Sequence, residues 1–335
     1  MEPTVSICVA NYNGAELIGR CLDSIYAQNS DATIEILVHD DASDDDSVAI
    51  VSRRFPDVRL LSSADNVGFC RANNKMVAAA SGTYVLLLNN DAWLAEDAVE
   101  TLLRAQRVYG ESILTLPQFN ADDERFSDCG MFMDVLATPM LILEKSEQPV
   151  ATVMGSCLWL SRALWDQCGG FPPWFGSIAE DMYLCNYARI LGYPVVALSH
   201  SAYYHHVGHS FGGGKVVAGE LTTTIVRRRL SERNKLYVMF LFYPLPLLLL
   251  VFPLQLSLLA VEGMVLAIIK RRPSVFTRIY GHALWAFVLN LPDLAGRRRE
   301  VQARRVIGNR EYLSVFRWFP HKLRMLMRHG IPKIQ

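Results

Sequence analysis

The sequence predicts an α/β body on a mostly parallel central sheet flanked by helices, followed by a hydrophobic, basic helical tail. Three observations carry that reading. Over the first 120 residues, short apolar runs alternate with stretches of helical periodicity. The fourth run, Tyr84–Leu88 (YVLLL), is apolar at nearly every position, as in a strand covered on both faces. Charge also divides along the chain: residues 1–226 hold 13 Lys and Arg against 28 Asp and Glu, and residues 227–335 hold 20 against 5. A formal net charge of zero therefore hides an acidic body and a basic tail.

Taken in order, Val5–Ala10 reads as the first strand, closed by the turn cluster Asn11-Tyr12-Asn13-Gly14. Leu17, Cys21, Leu22 and Ile25 then recur at helical spacing. Ile34–His39 is the second strand and ends at Asp40-Asp41, Ser47–Phe55 a helix, and Val58–Ser62 the third strand. Ala72–Ala80 is a helix stopped by Ser81-Gly82. The fourth strand ends at Asn89-Asn90-Asp91, where Asp91 is placed to cap a helix over Trp93–Arg104. Strand–helix alternation of this kind implies right-handed crossovers. Further on, Glu180-Asp181 opens a helix at Met182–Leu191, where acids also complement the macrodipole.

Composition removes several classes. With 51% apolar residues, 20% charged, 21 Gly and 15 Pro in 335 residues, the chain is neither disordered nor collagen-like. Its seven cysteines are scattered without a C-x-x-C pair, which argues for reduced, buried thiols rather than structural zinc or disulfides. The opening Met1-Glu2-Pro3 lacks the basic and apolar regions of a secretory signal.

Ligands of open α/β sheets sit beyond the carboxyl ends of the strands. Here three of those ends carry amides and carboxylates. A G-x-G-x-x-G turn and a G-x-x-x-x-G-K-[ST] loop are both absent, so hydride transfer and P-loop chemistry fall away. Carboxylates repel phosphates unless a cation lies between them. The crevice therefore asks for an oxygen-ligated divalent cation, Mg or Mn, shared between Asp91 and a diphosphate.

Four segments, VSICVANYNG, ILVHDDASDDDSV, NVGFCRANNKMVAAASGTYVLLLNNDAWL and GGFPPWFGSIAEDMYLCNYARILGY, resemble family 2 glycosyltransferases of the GT-A fold. The likeness is nearest to the bacterial rhamnosyltransferase-like branch and covers roughly residues 4–215 in consistent order. It implies a donor nucleotide site at Ala10, Tyr12, Asn13, Asp40, Asp41, Asn66, Gly68, Phe69, Arg71, Asn74 and Asn90. In it, Asp40 and Asp41 would accept the imino N–H of uracil or thymine. Asn89-Asn90-Asp91 occupies the family's D-x-D position with its first Asp replaced, so Asp91 would carry most of the metal coordination. His206, with Ser210 in an H-x-x-x-S element, would meet the metal or diphosphate. Asp181 matches the general base, and Glu180, with Trp174 and Phe175, the acceptor side. A zinc site built from His205, His206 and His209 would lack any thiolate. Gly212-Gly213-Gly214-Lys215 reads either as a lid over the diphosphate or as a plain loop. The Q-x-x-R-W element of processive synthases is missing its Gln, since Ser314 precedes Arg317-Trp318. A single transfer per encounter follows.

In the tail, Leu236–Val261 is uncharged, and its flanks are basic: Arg227, Arg228, Arg229, Arg233 and Lys235 before, Lys270, Arg271, Arg272 and Arg278 after. Pro244, Pro246 and Pro253 interrupt it. A second apolar stretch, Ile279–Leu291, is short for a span and runs into Arg297-Arg298-Arg299. Basic residues on both flanks favour a re-entrant or interfacial hairpin in the cytoplasmic leaflet over a span or a buried helix pair.

The expectation is thus a GT-A domain over 1–226, with a nucleotide half to about 120 and an acceptor half beyond, and a membrane-associating tail over 227–335. It would transfer one sugar, rhamnose from dTDP-rhamnose favoured, from a dTDP- or UDP-linked donor. The acceptor would be a glycan or glycolipid hydroxyl at the cytoplasmic face of the inner membrane. No nucleic acid partner is expected, and assembly into a homo-oligomer stays open. Two other classes remain: a non-catalytic glycan-binding module and a nucleotidyltransferase.

Overall fold

A computed structural model of the protein describes residues 4–206, 213–217, 220–330 and 333–334. The chain divides into two compact units: 1–131, 141–189 and 193–207 form the first, and 132–140, 190–192 and 208–335 the second.

The first unit begins β1 (Val5–Asn11), α1 (Ile18–Tyr26), β2 (Ile34–Asp40), α2 (Ser47–Arg54), β3 (Arg59–Ser62), α3 (Phe69–Ala79) and β4 (Tyr84–Asn89). It continues with β5 (Ala92–Leu94), α4 (Ala98–Tyr109), β6 (Ile113–Thr115), β7 (Gln118–Asn120) and β8 (Phe126–Asp128). A hairpin of β9 (Met131–Asp134) and β10 (Pro139–Leu141) leaves for the second unit. The chain returns as β11 (Gln148–Pro149), β12 (Cys157–Ser161), α5 (Arg162–Cys168), α6 (Glu180–Ile190), β13 (Val195–Ala197) and β14 (Tyr203–His205).

The main sheet has the order β11-β13-β6-β12-β4-β1-β2-β3. Strands β3, β2, β1 and β4 run parallel, as predicted, while β12 lies antiparallel to β4 and to β6. The sheet is therefore mixed beyond β4. Because β1 to β3 grow one way and β4 crosses to the other side of β1, the order reverses there and opens a crevice at the carboxyl ends. Val5, Ile7 and Val9 of β1, Leu86 and Leu88 of β4 and Ile18, Leu22 and Ile25 of α1 fill one side of the core. Each such side chain contributes about 1.5–3 kcal/mol on burial. All seven cysteines are free and buried, and burial pushes the thiols of Cys157 and Cys185 up to about 12, so they pack as small apolar groups.

Two boundaries differ from expectation. Helix α3 starts at Phe69, three residues early, because Gly68 takes φ +84 and turns the chain directly into it. No helix starts at Trp93; Ala92–Leu94 pairs with β14 as β5, and α4 begins at Ala98 behind Asp97. Asp91 is thus not a helix cap.

The second unit carries β15 (Gly213–Val217), β16 (Glu220–Thr223), α7 (Ile225–Phe242), α8 (Leu245–Ile269), α9 (Pro273–Val275), α10 (His282–Ala303), α11 (Asn309–Tyr312), β17 (Phe316–Arg317), α12 (His321–His329) and β18 (Lys333–Ile334). A π-helical turn, Phe276–Gly281, leads into α10. The uncharged stretch is split: Leu236–Phe242 is largely core, Tyr243-Pro244 breaks the helix, and α8 runs on through Pro253. Phe240, Phe252 and Phe287 join α7, α8 and α10 in one aromatic cluster. Helix α8 is the one described helix long and apolar enough to cross a membrane, with mean hydropathy 2.0. His209, Ser210 and Gly212 lie outside the described residues, so the H-x-x-x-S expectation is not placed; Gly213, Gly214 and Lys215 form the start of β15, paired antiparallel with β16, and are not a plain loop.

Candidate active site

The carboxyl ends of β1, β2 and β4 converge on Asn11. Its side-chain N–H groups donate to Asp40 Oδ1 and to Ser47 Oγ, each at 2.9 Å, and its Oδ1 accepts from Asn90 Nδ2 at 2.9 Å. A Cβ at Gly14 would collide with Asn90 Nδ2 and Asn11 Oδ1, which explains the glycine. Asp40 also accepts from the Ser43 hydroxyl at 2.6 Å and the Ser43 N–H at 3.1 Å. Asp41 gives one oxygen to the Val67 N–H at 2.7 Å and the other to the Gly68 N–H at 2.9 Å. Both aspartates are buried and brace the loops around the crevice. Asn13 takes φ +49 and accepts from Asp44 N–H at 3.0 Å, while Tyr12 is exposed at the strand end. Ala10 is half-buried at the end of β1, Asn66 and Arg71 are exposed, and the half-buried Phe69 stacks on Phe171 at 5.9 Å.

Asn74 has a different task from the one expected. Its amide donates to Phe171 O at 2.8 Å and accepts from Phe171 N–H at 3.0 Å, a two-point clamp on the aromatic loop. Phe175, expected on the acceptor side, is completely buried and edge-on to Trp174 and Tyr183, so it packs inside and lines no surface. Trp174 is half-buried.

Asp181 is half-buried at the start of α6, where Oδ1 accepts from Met182 N–H at 2.7 Å and Oδ2 from Gly155 N–H at 3.3 Å. Glu180 beside it is buried. The two residues before the helix, Ile178 and Ala179, sit at φ +69 and +70, a region L-residues avoid and a β-branched residue avoids most. Ser156, next to Gly155, accepts through its carbonyl from Asn89 N–H at 3.1 Å. Asn89 is two residues before Asp91, so hydrogen bonds link the backbone segments that lead to Asp91 and hold Asp181.

Asp91, 2% exposed, places Oδ1 at 3.1 Å from Nε2 of His205. The histidine expected there, His206, instead turns Nδ1 to Asp122 Oδ1 at 2.8 Å and stands edge-on to Trp93. Tyr203 and His205 share the buried face of β14, and the next residue, His206, donates its backbone N–H to Asp91 O at 3.0 Å. His205 Nδ1 lies 3.2 Å from Gln118 Oε1, which also accepts from the Tyr203 hydroxyl at 2.7 Å. Gln118 Nε2 donates to Asp128 Oδ2 at 2.9 Å. Burial pushes the Asp128 carboxyl up to about 7, against opposing hydrogen bonds from Ser127 and Gly130 and the nearby His205.

A carboxylate and an imidazole suit a divalent cation such as Mn. Asp91 Oδ1 and His205 Nε2, 3.1 Å apart, are the groups that would hold such a cation. Among the described residues no group of three or more His, Cys, Asp or Glu converges, so the chain offers part of a shell and a diphosphate would complete it. Sequence reasoning missed Asn11, Gln118 and Asp128. Asn11 had a signal in ending a strand beside Asp40, but the other two are joined only by the pairing of β7 with β8.

This sheet, with helices on it and a carboxylate just beyond β4, is the GT-A α/β fold that the solved structure below shares. Residues 6–165 match the family model for glycosyl transferase family 2. It is 36% identical over 104 residues to an uncharacterized protein of Mycobacterium tuberculosis (strain CDC 1551 / Oshkosh), a match covering 31% of this chain and 32% of that one. It therefore spans about a third of that curated relative. It is also similar to the N-acetylglucosaminyl-diphospho-decaprenol L-rhamnosyltransferase of the same strain, 23% identical over 248 residues, 63% of this chain and 79% of the other. Among solved structures it resembles the mannosyltransferase PcManGT from Pyrobaculum calidifontis in complex with GDP-Man and Mn2+, at 19% identity, TM-score 0.53 and 88% coverage of each chain.

Proposed function

We propose that the chain is an inverting, cation-dependent glycosyltransferase that moves one sugar per encounter from a nucleoside diphosphate to a glycan hydroxyl in cell-envelope polysaccharide synthesis. The observation that carries this is the seating of Asp91 and Asp181 on adjoining backbone, through Asn89, Ser156 and Gly155. Asp181 takes the proton of the acceptor hydroxyl as its oxygen attacks the anomeric carbon opposite the leaving diphosphate, which inverts the configuration. When bound, the cation neutralises charge on that leaving group. Asp91 and His205 hold it, while Tyr12 and the loops braced by Asp40 and Asp41 frame the nucleoside. Rhamnose from dTDP-rhamnose and a lipid-linked acceptor are favoured by the likeness to the decaprenol-linked rhamnosyltransferase.

The second unit adds the membrane. Leu249, Leu250, Leu254, Val261, Val265 and Ile268 of α8 are exposed, as are Trp285, Val288 and Leu289 of α10. Glu262, within α8, is held to Arg228 at 2.5 Å and Lys322 at 2.9 Å. A helix so pinned on one side presents its apolar stripe to lipid while lying in the interface, with the surrounding Arg and Lys drawn to anionic headgroups at the cytoplasmic face.

A donor screen tests the chemistry: released nucleoside diphosphate is measured with dTDP-rhamnose, UDP-GlcNAc and GDP-mannose in Mn2+, Mg2+ or EDTA. The expected result is release from dTDP-rhamnose that EDTA abolishes. Pyrophosphate as the product, or full turnover in EDTA, would overturn it.

A further inference from the structure

The turn that closes α8 sets an arginine where the backbone asks for glycine. Arg271 N–H donates to Ile268 O and Arg272 N–H to Ala267 O, both at 3.0 Å, the paired bonds that end a helix through one left-handed residue. That residue is Arg271, at φ +51. Glycine adopts this conformation freely, whereas a residue with a Cβ is strained in it. Strain of this kind points to a task for the side chain. With Met264, Ala267, Ile268, Pro273 and Phe276, Arg271 lines an open-sided groove of about 510 Å³, within the size range of small-ligand sites. Gly263 lets the π-helical turn press onto α8, since a Cβ there would stand 2.6 Å from Tyr280 Cβ and 2.9 Å from Phe276 Cδ2. That close approach holds Phe276 as one wall. The rim is cationic: Lys270, Arg272 and Arg278 adjoin the lining residues in the chain, and no Asp or Glu occurs between Glu262 and Asp293. Among the described residues neither they nor Arg271 form an ion pair, whereas Arg228, Lys235 and Lys322 of the same unit all meet carboxylates. An apolar trough ending in unopposed cations is complementary to an amphiphile with an anionic head.

We propose that this groove is a site for one anionic glycerophospholipid, its acyl chain along Met264, Ala267, Ile268 and Phe276 and its phosphate on the Arg271 guanidinium. Arginine suits the role because its planar fork gives two N–H bonds to one phosphate. The neighbouring cations add attraction over a stretch free of acids. The proposal rests on the interfacial reading of α8 given above and adds a fixed point to it. A bound lipid, rather than charge spread over the surface, holds the C-terminal end of the helix.

The full chain is titrated calorimetrically with dihexanoyl-phosphatidylglycerol below the concentration at which it forms micelles. The matching phosphatidylcholine and tail-less glycerophosphate serve as comparisons. Saturable binding of one phosphatidylglycerol per chain is expected, with much weaker binding of the other two. Arg271→Gly should reduce that affinity about 10–100-fold, the loss of charge-assisted hydrogen bonds. The same variant should hold or raise the melting temperature, because glycine relieves the left-handed turn. A residue kept for folding would lower it. Ala267→Trp, which fills the groove and leaves the cations, should weaken binding as well. Cosedimentation with phosphatidylglycerol vesicles separates the site from the interfacial reading. Vesicle binding without saturable short-chain binding would overturn the site and leave the interfacial helix. Unchanged lipid affinity in a folded Arg271→Gly, or a lowered melting temperature in it, would do the same. Short-chain binding that Arg271→Gly abolishes, in a chain that ignores vesicles, would keep the site and remove the interfacial helix. A chain that sediments as a dimer, and as a monomer in Ala267→Trp, would give the groove to a second copy and overturn the proposal.

Discussion

The two units bury charge by opposite means. In the second, Glu232 lies against Lys235 at 2.8 Å, Lys322 at 2.8 Å and Arg228 at 3.1 Å. Burial alone would raise its pKa, but the charges of Lys235, Lys322 and Arg228 outweigh that and hold it well below the carboxylate range. Burial conversely lowers Lys235 to about 8. Charge is closed off by opposite charge, which suits a scaffold. In the first unit, Asp40 and Asp41 are met by N–H and O–H donors that carry no full charge. Such donors fix the carboxylates without cancelling them, and a crevice keeping its negative field can attract a cation. Ion pairing builds a core; dipole pairing preserves a site.

Asp181→Asn should break the site most severely, lowering kcat about 10²–10⁴-fold. Calorimetry with the nucleoside diphosphate should show donor binding intact. In the second unit, Glu232→Gln leaves buried cations uncompensated and should cost about 3–5 kcal/mol in urea unfolding. Replacing Arg228, Glu232 and Lys235 together by apolar residues of similar volume should cost far less, which is the sharper test of charge closed by charge. Gly14→Ala forces a Cβ onto the Asn11–Asn90 bond. It should cost about 1–3 kcal/mol and weaken donor binding by a similar factor in free energy.

A smaller effect is expected at Asp128, whose carboxyl burial pushes up to about 7, well above the ordinary carboxylate range. The native state then holds an extra proton between about pH 4 and 7, so this group's contribution falls as pH rises through that window. Asp128→Asn removes the fall, and melting curves at pH 5 and 8 should shift in the variant's favour at the higher pH. Last, Leu250→Ser on the exposed face of α8 should change stability by less than about 0.5 kcal/mol, yet reduce cosedimentation with anionic vesicles.

The sequence made the parallel half of the sheet legible because β1 to β4 are local, periodic and punctuated by polar ends. The antiparallel entry of β12 was not legible, since Cys157–Ser161 is as apolar as a parallel strand. Asp91 and Asp181 are proposed from motif order alone, and the structure places one after β4 and the other in the first turn of α6. The choice between His205 and His206 depended on which one shares the buried face of β14 with Tyr203, and a two-residue run does not reveal that before its pairing with β5 and β7 is known. Phe175 and Asn74 carried the chemistry of a binding surface, but tertiary packing turned one inward and committed the other to Phe171.

The left-handed pair Ile178-Ala179 has a consequence for how Asp181 can vary. A helix advances about 100° per residue, so the azimuth of the first carboxylate on α6 is dictated by how the chain enters that helix. Deleting either residue would swing Asp181 roughly a quarter-turn off the Gly155 N–H while leaving α6 itself intact. The entry acts as an indexing stop for the first turn of α6.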